Sequence, residues 1–222
     1  MQVRQLRALL RHRASLVRLG TQQRNRIHAV AADHGYDRSA SYWTGLGRGW
    51  LAELELPAAS REIITDCLAV IDGLAPVIER INGELHQHAK ADPRVKVLRT
   101  LPGVGEFTAL VMLAEIGDIS RFATARKLAS WAGLTPTVRG SDLKVRHGHI
   151  SKQGSAWLRW ALNQAAQTAK RSPEFAATYA AIARRRGKKI ATIAIARKLL
   201  TRAWHLLAQM QATDASQPPR RP

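Results

Sequence analysis

The chain has 222 residues, with 35 Lys and Arg against 16 Asp and Glu, so its formal net charge is +19. A positive charge of this size favours a polyanionic partner, either a nucleic acid or an acidic membrane surface. The single cysteine, Cys67, excludes an internal disulfide and a four-cysteine metal site. Neither a long apolar run nor the apolar stretch of a signal peptide is present, which predicts a cytoplasmic nucleic-acid-binding protein without a membrane span.

The basic residues are concentrated at the two ends of the chain. Residues 1–32 contain seven arginines and no acid, and residues 139–222 contain seventeen Lys and Arg against three acids. Most of the acids lie between Asp33 and Asp118. The middle of the chain therefore reads as a nearly neutral spacer between two cationic segments.

The first 91 residues are predicted to form a helical arm. One helix is expected over residues 2–32, and a loop over residues 35–50, which are rich in Gly, Ser and aromatic residues. A heptad pattern of apolar residues then predicts a second helix, kinked where Pro76 and Gly83 interrupt it. The pattern consists of Ile64, Cys67, Ile71, Leu74, Ile78, Ile81 and Leu85. This helix packs either against the first helix or against a partner chain, and the pattern leaves both open.

The remainder is predicted to be a compact helical domain over residues 92–211, followed by a disordered tail over residues 212–222. Asp92 and Pro93 are suited to the N-cap and first position of a helix. Helices are expected over residues 93–100, 106–116, 124–131, 155–170 and 188–210. Because no convincing alternating strand appears, the predicted fold class is all-α.

The sequence LPGVG, residues 101–105, lies between two of these helices and has the pattern of a helix-hairpin-helix. Gly103 and Gly105 would allow the turn and bring free backbone N–H groups close to a phosphate. The alternative is a tight helical corner that binds nothing. Base-excision glycosylases share this motif, but Glu106 stands where they would need a basic residue, so that class is disfavoured.

Residues 134–154 are predicted to form a polar loop rich in hydrogen-bond donors. The donors are Arg139, Lys144, Arg146, His147, His149 and Lys152, and Ser141 lies among them. A serine becomes a nucleophile for phosphorus when a base takes its proton and cations stabilise the charge that develops. The alternative is a solvated loop that touches phosphates, with Ser141 as a bystander. Two histidines without a third ligand do not predict a metal site, so no metal is expected in this chain.

Several blocks resemble, in order, the C-terminal domain of the DEDD-type serine transposases of bacterial insertion sequences, the IS116/IS110/IS902 family. They are LPGVGEFTALVMLAEIGDISRFATARKLASWAGLTP, then Ser141, then HISKQGSAWLRWALNQAA. The similarity extends from about Val95 to Leu207, and the arginine-rich segment of residues 6–27 resembles the family's linker into a coiled coil. The resemblance implies a DNA transposase.

The resemblance assigns roles to particular residues. In the family, the serine five residues after the proline of the GLTP block is the nucleophile, and Ser141 occupies that place after Pro136. Ser151 matches a second, structural or backbone-contacting serine, while Arg146 and Lys152 match basic positions that contact phosphate. The family usually has glycine after the nucleophile, where this chain has Asp142, and a carboxylate there is electrostatically unfavourable.

The resemblance also implies a composite active site. The family has an N-terminal resolvase-like domain whose Asp-Glu-Asp-Asp tetrad binds Mg²⁺, and none of its motifs occurs in residues 1–222. No cofactor is therefore expected in this chain, Mg²⁺ being expected only with the tetrad domain. The chain is expected to be a truncated or split transposase that binds DNA and does not complete transposition alone.

The last predicted helix carries two kinds of residue. An apolar stripe is expected to pack in the core, and it includes Ile190, Ile193, Leu200, Trp204 and Leu207. The basic run from Arg184 to Lys189, including Arg185 and Lys188, is predicted to bind an anion at a helix N-terminus.

Two functions follow. The first is a transposase fragment that recombines DNA through Ser141, with DNA and a structured guide RNA as partners and dimers or tetramers formed through the arm. The second is a non-catalytic helix-hairpin-helix nucleic-acid-binding protein that is indifferent to Ser141.

Overall fold

The computed structural model describes residues 3–141 and 144–216, apart from the side chains at 139, 141, 144–147 and 214–216. The all-α prediction is confirmed, since helices dominate the described residues. In chain order they are α1 Val3–Asp33, α2 Gly45–Glu53, α3 Ala58–Ala91, α4 Pro93–Leu98, α5 Glu106–Ile116, α6 Ala125–Trp131, α7 Ala156–Ala169, α8 Pro173–Arg186 and α9 Lys188–Ser216. A short 3₁₀ turn, Ile119–Arg121, precedes α6, and two strands separate α6 from α7.

The chain divides into two compact units. We call Ala8–Glu84 the arm unit, and Met1–Arg7 together with Leu85–Pro222 the core unit. The division falls inside α1 and α3, so each of these helices contributes residues to both units.

In the arm unit, α1 and α3 pair in antiparallel fashion. Arg13 donates a hydrogen bond of 2.6 Å from Nε to Oδ1 of Asn82. Further along, Ile27 and Ala31 share one buried cluster with Ile64 and Cys67. Residue numbers rise on α1 as they fall on α3, which is the signature of an antiparallel pair. The first part of the heptad pattern is thus buried within this chain.

The predicted loop over residues 35–50 is wrong in its second half, where α2 begins. Oγ1 of Thr44 accepts a hydrogen bond from the backbone N of Gly47 at 3.2 Å, which caps the helix. Leu51 and Leu54 are buried in the same cluster as Tyr42. Glycine-rich composition suggested a loop, whereas the N-cap and the apolar residues determine a short helix.

The helix α3 runs as one helix of 34 residues, past Pro76 and past Gly83. Its apolar pattern is long enough to supply packing on both sides of the proline. The kink predicted at Pro76 stays a prediction.

In the core unit, α9 packs against α4, α6, α7 and α8. Its fully buried positions include Ala191, Ile195, Ala196, Leu199, Leu200 and Ala203. The predicted apolar stripe is therefore partly wrong, because Ile190 is 53% exposed. Small alanines allow neighbouring helices to approach α9 closely, and a stripe chosen from the large residues alone misses that face.

The first residues of the chain also contribute to the core unit. The guanidinium of Arg7 donates hydrogen bonds of 3.2 and 2.6 Å to the carbonyl oxygen of Ala114. It also lies 3.5 Å from the buried carboxylate of Glu115 on α5. An arginine of the basic N-terminal segment is thus used inside the fold.

The prediction of a strandless loop over residues 134–154 is wrong. Strands β1 Pro136–Ser141 and β2 Lys144–Ile150 form an antiparallel two-stranded sheet. The strands show no apolar alternation, and those of their side chains that the structure describes are not buried, with Val138 61% exposed. Helix α8 was also missed, although Ser172 and Pro173 form a suitable N-cap and first position.

Candidate nucleic-acid interface

Strands β1 and β2 form a β-hairpin, which we call the hairpin, and Ser141 is the last residue of β1 at its far end. Ser141 pairs with Lys144, and Arg139 pairs with Arg146, so the backbones of four predicted site residues are adjacent. A register shift interrupts the ladder between Pro136 and Val138. The side chains of these four residues, and Asp142 altogether, lie outside the described part of the structure.

The base of the hairpin is held by close backbone packing. Gly133, at φ 72°, and Gly154, at φ 66°, both adopt left-handed conformations. A Cβ on Gly133 would overlap the backbone of Gln153, and one on Gly154 would overlap the carbonyl oxygen of Trp131. These two contacts join the end of α6 to the segment that leads into α7.

Arginine 159 on α7 completes this base. Its Nη1 donates hydrogen bonds to the carbonyl oxygens of Ala132 and Gly154, each at 3.2 Å, and also to that of Gln153. Carbonyls from both sides of the hairpin are therefore bound by one cation. The backbone N of Ser151 adds a hydrogen bond of 2.9 Å to the carbonyl of Thr135.

Lys152 and Ser151 are neighbours in the chain but differ in exposure to solvent. Lys152 is exposed and has φ 57°, the one positive φ of a non-glycine residue in the described part of the chain. That conformation costs roughly 1 kcal/mol, and it occurs at an exposed cation. The Oγ of Ser151 is buried and has no hydrogen-bond partner among the described residues.

The two glycines of the LPGVG turn have different surroundings. Gly103 has φ 75°, and a Cβ there would overlap the carbonyl oxygen of Ala165 on α7. Gly105 is exposed, is the N-cap of α5 and has nothing within 4 Å of an added Cβ. The turn is thus packed at its first glycine and open at its second.

A carboxylate and a histidine stand beside the open glycine. Glu106, the first residue of α5, lies 3.1 Å from Nδ1 of His86. When His86 is protonated, this pair offsets part of the negative charge that Glu106 places near the turn.

The basic run near Gly187 is split between two helices. Arg184, Arg185 and Arg186 form the last turn of α8, where cations interact favourably with the helix dipole, so their placement has a structural explanation. Lys188 and Lys189 begin α9 and are exposed. Of the predicted anion site, only these two lysines lie at a helix N-terminus.

Two features were missed in the sequence. Lys170 lies with Lys188 and Lys189 around one groove. Trp157 and Trp160 stack on each other on α7, and their spacing of three residues was the available signal.

The described residues were also searched for metal-binding clusters and for membrane-spanning helices. Residues 3–141 and 144–216 contain no group of three or more His, Cys, Asp or Glu that could hold a metal. None of the helices described is long and apolar enough to cross a membrane.

Parts of this chain are similar in sequence to known proteins. Residues 95–180 match the family described as "Transposase IS116/IS110/IS902 family". A "Transposase for insertion sequence element IS1111A" of Coxiella burnetii is 28% identical over an alignment of 229 residues that covers 93% of this chain and 59% of that protein. A "Probable family 20 transposase" of Pseudomonas aeruginosa is 28% identical over 159 residues, or 69% of this chain and 47% of that protein.

A third relative has a different description. A "Pilin gene-inverting protein" of Moraxella bovis is 35% identical over 125 residues, which cover 54% of this chain and 39% of that protein. The chain spans about half the length of the curated relatives it matches. Parts of this chain are therefore similar to insertion-sequence transposases.

Proposed function

With residues 95–180 matching the IS116/IS110/IS902 transposase family, we propose that this chain is the DNA-binding part of an insertion-sequence transposase, with Ser141 as its nucleophile. The match carries the proposal because its segment contains the β1–β2 hairpin, the LPGVG turn and all of α7. The end of β1 is where Ser141 stands, and an anchored hairpin is suited to holding a reacting group in one position.

The chemistry requires few groups from this chain. The Oγ of Ser141 forms an ester bond to a DNA phosphorus, one bridging P–O bond breaks, and the serine proton ends on the sugar hydroxyl that leaves. Arg139, Lys144 and Arg146 are suited to stabilising the negative charge that develops on the phosphoryl oxygens. Lys152 and Gly105 would position the DNA backbone, whereas the buried Oγ of Ser151 favours the structural alternative for that residue.

The proposal does not assign a Mg²⁺ site to the residues of this chain. The resemblance assigns Mg²⁺ to a carboxylate tetrad from outside these 222 residues, and the described residues offer no cluster that fits one. We therefore assign to this chain the binding of DNA and the covalent attachment of its strand. The same proposal includes a helix-hairpin-helix at the LPGVG turn and a coiled coil in the arm. It also includes assembly into a dimer or tetramer and a structured guide RNA as second partner.

Trapping of protein–DNA adducts tests the nucleophile. The 222-residue chain, combined with a protein that supplies the tetrad domain, is incubated with insertion-sequence DNA, denatured and resolved by size. We expect a covalent adduct with the unsubstituted chain and none with Ser141→Ala. Ser39→Ala, an exposed serine of the arm unit, is the matched control and should leave the adduct yield unchanged.

Two results would contradict the proposal. An equal adduct yield from Ser141→Ala would reject the serine as nucleophile. Salt-sensitive DNA binding without any adduct from the complete mixture would favour the non-catalytic nucleic-acid-binding protein instead.

A further inference from the structure

Two tryptophans form an aromatic platform on α7. The rings of Trp157 and Trp160 lie parallel, with an interplanar angle of 3° and a centroid distance of 4.6 Å. Phe107 meets Trp157 edge-on at 6.2 Å. The outer member, Trp160, is 45% exposed, so a large part of this indole is open to a ligand. The inner ring of the stack, Trp157, therefore packs against Phe107.

A cationic groove lies further along the same helix. After Trp160, the residues Asn163, Gln167 and Lys170 follow at intervals of three, four and three, which places the first three along one face of α7 and Lys170 at its C-cap. The groove has a volume of about 330 Å³. Its polar lining includes Asn163, Gln167, Lys170, Tyr179, Lys188 and Lys189.

The lysines of this groove have few described partners. The Nζ of Lys170 donates a hydrogen bond of 2.6 Å to Oε1 of Gln167 and lies 5.4 Å from the ring centroid of Tyr179. Lys188 and Lys189 are exposed. Within residues 3–141 and 144–216, none of the three forms an ion pair with a described carboxylate. The lysines of the groove are therefore suited to attracting anions. The amide side chains of Asn163 and Gln167 can both donate and accept hydrogen bonds.

We propose that this face of α7 is a track for an unpaired stretch of nucleic acid. One base stacks on Trp160, and the phosphates that follow bind Lys170, Lys188 and Lys189. The proposal rests on the proposed nucleic-acid function and narrows it to a single-stranded segment. A duplex cannot serve this platform in the same way, because its base faces are covered by neighbouring base pairs, whereas an unpaired base offers its face to an aromatic side chain.

The geometry is consistent with a strand that runs along the helix. Ten residues separate Trp160 from Lys170, which is about 15 Å along a helix axis. The stacked base and the bound phosphates therefore belong to different nucleotides. Stacking accepts any base, so this track selects unpaired structure and not sequence.

The test compares strand and duplex binding by the full 222-residue chain. Fluorescence anisotropy of a labelled oligothymidine strand, and of a duplex of equal length, is measured over a range of salt concentrations. We expect Trp160→Ala to weaken strand binding by roughly 5- to 100-fold and to leave duplex binding unchanged. Trp160→Phe should restore most of the loss, because it keeps an aromatic face.

The lysines have a separate readout. Replacing both Lys188 and Lys189 with Gln should reduce the steepness of the salt dependence for the strand by about 1.4 in log–log slope, corresponding to two phosphate contacts. Lys198→Gln, an exposed charge change on the same helix, controls for net charge. Leu46→Ala, at a residue 83% exposed in the arm unit, controls for loss of an exposed apolar side chain.

Each outcome decides between the possibilities. Normal duplex binding with strand affinity indifferent to Trp160 would overturn the track and leave the proposed function standing. Equal weakening of strand and duplex binding by Trp160→Ala would also overturn it. So would a Trp160→Ala variant that changes the oligomeric state of the chain but not its affinity for the strand. If the unsubstituted chain binds neither strand nor duplex, the proposed function fails as well.

Discussion

Gly103 faces the backbone of α7 so closely that a Cβ on it would overlap the carbonyl oxygen of Ala165. Its φ of 75° adds a second requirement for glycine. The first glycine of the LPGVG turn is therefore explained by packing within the core unit. Two residues later, Gly105 meets neither restriction, since it is exposed and has φ −85°.

This contrast predicts opposite behaviour for two alanine substitutions. Gly103→Ala should lower the free energy of unfolding by about 2–5 kcal/mol, through the left-handed backbone and the overlap with Ala165. Gly105→Ala should cost at most about 1 kcal/mol, the penalty of a poorer N-cap. Chemical denaturation of both variants measures the difference. If phosphate is bound at the open glycine, only Gly105→Ala combines a native-like stability with weaker DNA binding. Similar stabilities for the two variants would contradict the close packing of Gly103.

Lys152 predicts a gain in stability from a substitution at the candidate interface. Its left-handed φ of 57° is strained for lysine, so Lys152→Gly should raise the free energy of unfolding by up to about 1 kcal/mol. Lys152→Ala keeps the strain and removes the same charge, which makes it the matched control. Both variants should weaken nucleic-acid binding equally, with a smaller salt dependence. Thermal unfolding in which glycine is less stable than alanine at this position would argue against the strained backbone.

Asp92 predicts a pH dependence at the start of α4. Burial raises the pKa of this carboxyl, but hydrogen bonds from the side chain and backbone of Arg94 outweigh burial, so the pKa is lowered. A lowered pKa stabilises the fold at pH values above the unfolded pKa of about 3.9, and this contribution is lost as the pH falls through the folded pKa. Asp92→Asn keeps an N-cap side chain and should cost up to about 1 kcal/mol at neutral pH.

The measurement is the difference in unfolding free energy between Asp92→Asn and the unsubstituted chain as a function of pH. We expect the difference to shrink below about pH 4. Glu62→Gln, at an exposed carboxylate of α3, corrects for the general effect of removing a negative charge. A difference that grows on acidification would have the wrong sign for the Arg94 interaction.

Cys67 predicts a protected thiol in the arm unit. The residue is only 4% exposed, and burial raises the pKa of its thiol; Arg26 lowers that pKa by a smaller amount, and Asp66 raises it slightly further. Because the thiolate is the reactive form, iodoacetamide should modify native Cys67 much more slowly than unfolded Cys67. A Cys67→Ala chain carrying Ser39→Cys supplies an exposed thiol for comparison. Rapid labelling of native Cys67 would mean that the buried cluster with Ile64 and Ile71 opens readily.

Most helices could be predicted because their signals are local. Asp92 and Pro93 begin α4, Gly105 precedes α5, and the apolar heptads that start at Ile64 mark α3. Helix α2 carried a weaker signal, since glycines surround its cap at Thr44. The hairpin of residues 136–150 carried none, because a sheet that is polar on both faces lacks an apolar period.

For the candidate site, the sequence by itself determined which residue types are available: the cationic ends, the LPGVG turn and the donors around Ser141. Only the tertiary structure decided how they are used. It gives Gly103 a packing role against Ala165, commits Arg159 to three carbonyls, and brings Lys170 beside Lys188 and Lys189. The physical reason is that charge and turn propensity belong to single residues, whereas close approach and shared grooves depend on segments far apart in the chain.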